Sequence, residues 1–163
     1  MIRATSTPTD RPLPAFPFRW DTETEILSGR QKVTADAEGF TGSWELENST
    51  GAVILLETER GVLCGVEVVV WPDVERATLV APHDAPAGRV RLEPPAGETT
   101  GVLEVDTPIS GAANASETLV HLRFGPGRAR SVRIAGNVVV DLDADGHLAG
   151  IWLQDLPLFP QEE

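Results

Sequence analysis

Asp141, Asp143 and Asp145 stand two residues apart and lead into Gly146. Carboxylates at this spacing can converge on one hard cation, and Asp-Leu-Asp-Ala-Asp-Gly has the form of the first half of an EF-hand calcium loop. Such a loop closes with a bidentate glutamate at its twelfth position, which here is Trp152. The flanking residues also pattern as strands, not helices. The run is therefore read first as an acidic hairpin turn, with Asp143 and Asp145 favouring turn geometry through Asx hydrogen bonds. Calcium held by Asp141, Asp143 and Asp145 is the alternative.

Other reactive residue types offer less. Cys64 is the only cysteine, so no intrachain disulfide can form, and the surrounding Val-Leu-Cys-Gly-Val points to a small buried residue. His83, His121 and His147 share no metal-ligand spacing and read as surface histidines. Asp21-Thr22 and Asp106-Thr107 resemble the paired loops of aspartic proteases. They continue with Glu23 and Pro108, where that chemistry needs glycine. Arg11, Pro14 and Pro17 fit an SH3-ligand pattern, but such patterns arise easily in a proline-rich arm, which is read instead as a strap lying on the sheet through Phe16 and Phe18 or as plain disorder. Arg123, Arg128, Arg130 and Arg133 surround a Gly-Pro-Gly turn and read as a solvated hairpin, with an anion-docking patch as the alternative.

The elements that must position these residues are strands. Alternation is clear in Trp44-Glu-Leu46, Val66-Glu-Val68, Val120-His-Leu122 and Val132-Arg-Ile134, with Gly, Asn and Asp between the runs. Short alternating runs separated by turn residues indicate an all-β antiparallel fold. No window carries a clean helical stripe.

The chain also repeats itself. Ile54-Leu-Leu-Glu precedes a turn ending in Gly61, and Val138-Val-Val-Asp precedes one ending in Gly146. Gly61, Leu63, Gly65 and Pro72 then match Gly146, Leu148, Gly150 and Pro157 at a constant offset of 85. Each copy reads as a hairpin whose turn glycine takes positive φ, and whose second glycine sits where a side chain would not fit. The expectation is two related halves in a pseudo-twofold, sandwich- or roll-like arrangement. Residues 1–17 would form a proline-rich arm, with 1–12 poorly ordered. Residues 18–80 would be the first repeat, 81–101 a Pro/Gly-rich linker or long loop carrying a short strand at Arg89–Leu92, and 102–160 the second repeat.

The stretch Asn137–Ile151 resembles the hallmark of a short bacterial family known only as a domain of unknown function, with a V-V-x-D-x-D-x-x-G-x-x-x-G-I-E hairpin. Ser116–Phe124 and Phe18–Leu27 resemble its opening strand. The resemblance implies a small β fold in tandem and brings no activity. Trp152 replaces the family's closing glutamate, and Glu67 keeps it in the first copy.

Charge narrows the partners. The chain has 25 Asp plus Glu against 13 Lys plus Arg, a formal net charge of −12. That field opposes nucleic acid and anionic membrane surfaces and favours cationic partners. No apolar run approaches the roughly 20 residues of a membrane span. Prolines interrupt any leader-like segment near the N-terminus, and the expected compartment is the cytoplasm. There is no P-loop, G-x-S-x-G or dinucleotide fingerprint. Together these features point to a non-enzymatic β protein that binds another protein, with a metal-binding or metal-dependent enzyme built on the acidic turn as the alternative.

Overall fold

A computed structural model describes residues 1–11, 13–33 and 38–160. Pro12, within the arm, lies outside the described residues. The architecture is all β. In chain order the strands are β1 (Ala4–Pro8), β2 (Arg19–Asp21), β3 (Ile26–Arg30), β4 (Thr41–Glu47), β5 (Val53–Glu59), β6 (Val62–Val70) and β7 (Val74–Arg76). They continue as β8 (Gly88–Leu92), β9 (Thr100–Asp106), β10 (Ser110–Ala113), β11 (Val120–Arg123), β12 (Arg130–Ala135), β13 (Val138–Leu142) and β14 (Leu148–Leu153).

These strands form an eight-stranded and a six-stranded sheet. The first has the order β1-β8-β6-β5-β4-β9, with β3 on β6 and β2 on β3. The second has the order β12-β13-β14-β11-β10-β7. Pairing is antiparallel except for β4 with β9 and β7 with β10, which are parallel. Both predicted hairpins form, as β5–β6 and β13–β14. The order β2-β3-β6-β5-β4 in one sheet matches β10-β11-β14-β13-β12 in the other, strand for strand.

Alternation decides what each face does. Leu27, Trp44, Leu46, Ile54, Leu56, Val66 and Val68 point inward from the first sheet. Val120, Leu122, Val132, Val138, Val140, Ile151 and Leu153 do so from the second, and all belong to one hydrophobic cluster. At about 25 cal/mol per Å² of apolar surface, this shared core is the main term holding the sheets together.

The turn glycines behave as their positions require. Gly61 and Gly146 have φ of 85° and 80°, in the left-handed region that a side chain disfavours. Gly150 packs tightly: a Cβ there would lie 2.7 Å from the Leu122 carbonyl oxygen.

The N-terminus departs from the expected loose arm. Residues 4–8 pair with β8, the Ala4 N–H donates to the Gly146 carbonyl, and the Leu148 N–H donates to the Ile2 carbonyl. Ile2 and Ala4 are buried, so this segment joins the first sheet to the second hairpin. The physical reason is its alternation: Ile2 and Ala4 face the core while Arg3 and Thr5 face out. Farther on, Phe16 is buried, and Asn137 clamps its backbone by accepting from the N–H at 2.8 Å and donating to the carbonyl at 2.9 Å. Phe16 and Phe18 do contact the body, as a strap would. Among the described residues no helix is long and apolar enough to cross a membrane.

Candidate functional site: the two outer sheet faces

Strand register places four equivalent residues across each five-stranded unit. Ser43, Glu57, Gly65 and Arg30 lie in one row of the first sheet. Ser131, Asp141, Gly150 and Arg123 lie in the matching row of the second. Both hairpins shift register immediately after the acid, between Glu57 and Thr58 and between Asp141 and Leu142. In both rows the serine hydroxyl donates to the acid at 2.7 Å.

Beyond this shared row the two faces differ. On the second sheet, Asp141 is buried and both its oxygens are engaged. Oδ1 accepts from the Ser131 hydroxyl, Oδ2 lies 2.8 Å from His121 Nε2, and the Trp152 indole N–H reaches both, at 3.1 and 3.2 Å. The His121 ring stacks on Trp152 with centroids 3.8 Å apart and planes 7° from parallel. A carboxylate sits at the centre here, where serine-nucleophile chemistry would need an imidazole between serine and acid. The cluster closes the outer face of the sheet and fixes four strands, β11, β12, β13 and β14, to one another. His121, read from sequence as a surface residue, is mostly covered: its partners lie on neighbouring strands that only the register brings together.

Asp141 is thereby turned away from the acidic turn. Asp143 Oδ1 accepts the N–H groups of Asp145 and His147, at 2.9 and 2.8 Å. Those backbone donors, His147's first, hold its carboxyl below the usual range. His147 takes the third place instead, and the ligand atoms of Asp143, Asp145 and His147 lie within 4.8 Å of one another. His147 Nδ1 stands 3.4 Å from Asp143 Oδ2.

The outer face of the first sheet is open. The row Glu104, Glu45, Leu55, Glu67, Ser28, Arg19 runs across six strands. Beside it, Asp106 lies opposite Glu47. Two like-charged pairs, Glu45 with Glu104 and Glu47 with Asp106, therefore meet directly across the parallel β4–β9 ladder. Among the described residues no arginine or lysine forms an ion pair with any of the four. Like charges placed opposite one another destabilise a sheet, so nothing in the fold itself accounts for them. The sequence carried no signal for this ladder, since β4 and β9 are distant in the chain and pair in parallel.

The remaining candidates have structural roles. Burial pushes the Cys64 thiol up to about 11, so it stays protonated at neutral pH. Arg133 donates to the carbonyls of Gly136 and Pro82 and to the Gln154 side chain, and Arg130 donates to Ser6, which binds the basic stretch to its neighbours. A cleft of about 300 Å³ is lined by Trp20, Trp71, Val74, Val120, Leu156 and Phe159. Its indoles stack on each other, with centroids 5.6 Å apart, and donate to the carbonyls of Pro157 and Glu25. These contacts tie the C-terminal segment to the β2–β3 end of the first sheet. Neither a family model nor a curated protein matches the chain.

Proposed function

We propose that the chain is a non-enzymatic binding module for another protein, which it engages through the outer face of its first sheet. The observation that carries this reading is the pair of like-charged couples, Glu45–Glu104 and Glu47–Asp106, which among the described residues form no ion pair with any arginine or lysine. A partner bearing lysine or arginine would relieve that repulsion. The same acidity opposes nucleic acid and anionic membranes. The reading includes a cytoplasmic setting, supported by a lone buried cysteine, and a tandem origin with a pseudo-twofold relation, supported by the shared strand order.

Fluorescence anisotropy with short unstructured peptides of opposite charge tests the reading. A cationic peptide should bind in a salt-sensitive way, and an acidic one should not. The variant Glu45→Gln/Glu47→Gln/Glu104→Gln/Asp106→Asn should lose the binding. Equal binding by that variant contradicts the reading.

Metal binding is a second reading, favoured by the grouping of Asp143, Asp145 and His147. An imidazole beside two carboxylates suits manganese or zinc better than calcium. A metal-dependent rise in melting temperature, lost in His147→Gln, would support it. Absence of any rise would retire it.

A further inference from the structure

Strand β9 ends its sheet, with β4 on one side and, among the described residues, no strand on the other. Its backbone is divided between the two sides. The Thr41 N–H donates to the Thr99 carbonyl, and the Thr107 N–H donates to the Glu47 carbonyl, so the odd-numbered residues of this segment bond toward β4. Alternation then leaves the N–H and C=O groups of Thr100, Val102, Glu104 and Asp106 on the open side.

The other edges are blunted, as sheet edges usually are. β2 and β7 have three residues each. β1 ends in Pro8 and is touched by Arg130. β12 is flanked by the segment around Pro86, whose carbonyl accepts from the Arg133 N–H. β9 runs seven residues with no proline or lysine inside it.

We infer that an extended, basic segment of a partner protein adds to β9 as a further strand, with lysine or arginine at alternate positions over Glu104 and Asp106. This rests on the binding reading above and names the chemistry of the partner. Side-chain alternation sets the pattern of the incoming strand. Glu104 and Asp106 face outward with Val102, while Leu103 and Val105 face the core and are only partly covered. The added strand would therefore set basic residues on the outer face and apolar ones beside Leu103 and Val105. A second copy of this chain fits poorly, because pairing β9 with itself would bring the same carboxylates together.

The test uses the full chain and two peptides of equal composition: one alternates lysine and valine, the other carries its lysines in a block followed by its valines. The alternating peptide should bind at least about tenfold more tightly. It should also slow hydrogen exchange at the amides of Val102, Glu104 and Asp106 by about tenfold or more, with little change at Leu103 and Val105, already bonded to β4. Val102→Pro, which removes an outward donor and no charge, should weaken the alternating peptide by about tenfold and leave the block peptide unaffected. Equal binding of both peptides with unchanged exchange on β9 would overturn strand addition and leave the acidic-face reading standing. Binding of neither peptide would overturn both. Self-association through β9 in sedimentation, abolished by Val102→Pro, would also overturn the proposal by assigning the edge to a second copy. The exchange measurement on the parent protein stands even where the proline variant fails to fold.

Discussion

The two five-stranded units put a serine, an acid, a glycine and an arginine in the same row, and then treat their outer faces in opposite ways. In the second unit the next row carries Arg133, Val139, Trp152 and His121. The indole and imidazole fold over Asp141, and the face is sealed. In the first unit the corresponding positions are Glu45, Leu55, Glu67 and Ser28. None of these can seal anything, and the added strand β9 brings two more carboxylates to the same face. The contrast teaches that one framework can spend its outer face on stability or keep it available for contact. The side chains two residues beyond the shared row decide which.

The largest contrast is expected at the paired acids. Asp141→Ala strands Ser131, His121 and the Trp152 indole in a closed site and should cost about 3 kcal/mol. Glu57→Ala, on the open face with one serine partner, should cost less than about 1 kcal/mol. Urea denaturation of both variants measures the difference, and equal losses would erase the distinction between the faces.

The paired glycines come next. A Cβ at Gly150 meets the Leu122 backbone at 2.7 Å, while one at Gly65 meets the Glu57 side chain at 3.0 Å. The Gly65 contact is with Glu57 Cβ and needs a shift of only a few tenths of an ångström, whereas the Gly150 contact is a closer one with the backbone of the neighbouring strand. Gly150→Ala should therefore lower stability by about 2 kcal/mol and Gly65→Ala by well under about 1 kcal/mol.

Much of this framework could be read from the chain. Alternation in Val66–Val70 and Val120–Leu122 gave the strands away, and the glycine offset located both hairpins. The turn role of Asp143 followed from its position before a positive-φ glycine. Three features were hidden for physical reasons. β1 is short, rich in threonine and next to prolines, so the two buried residues at its start, Ala4 within it and Ile2 just before it, do not register as a pattern. The His121–Asp141 contact depends on the pairing of β11 with β14 and of β14 with β13. The acidic ladder exists only because β4 and β9 run parallel, a pairing for which local sequence carries no turn signal.

A smaller effect is expected on the acid limb of stability. The folded-state carboxyl of Asp143 is held below its ordinary value of 3.8. A depressed carboxylate contributes stability above the unfolded value and loses it as pH falls through the folded one. Asp143→Ala should therefore show a shallower decline in melting temperature below pH 4 than the parent.

The measurement that bears most directly on the account is a paired reading of stability and binding in Glu104→Lys. The substitution turns the Glu45–Glu104 repulsion into an opposite-charge pair, worth roughly 0.2–1 kcal/mol across strands. Urea denaturation should show the variant to be more stable than the parent by about that amount. Its affinity for the alternating lysine–valine peptide should fall by about tenfold. A gain in stability with a loss of binding means that the acidic face is kept for a partner at the expense of the fold. A variant that binds as well as the parent, or that is less stable, would contradict that claim.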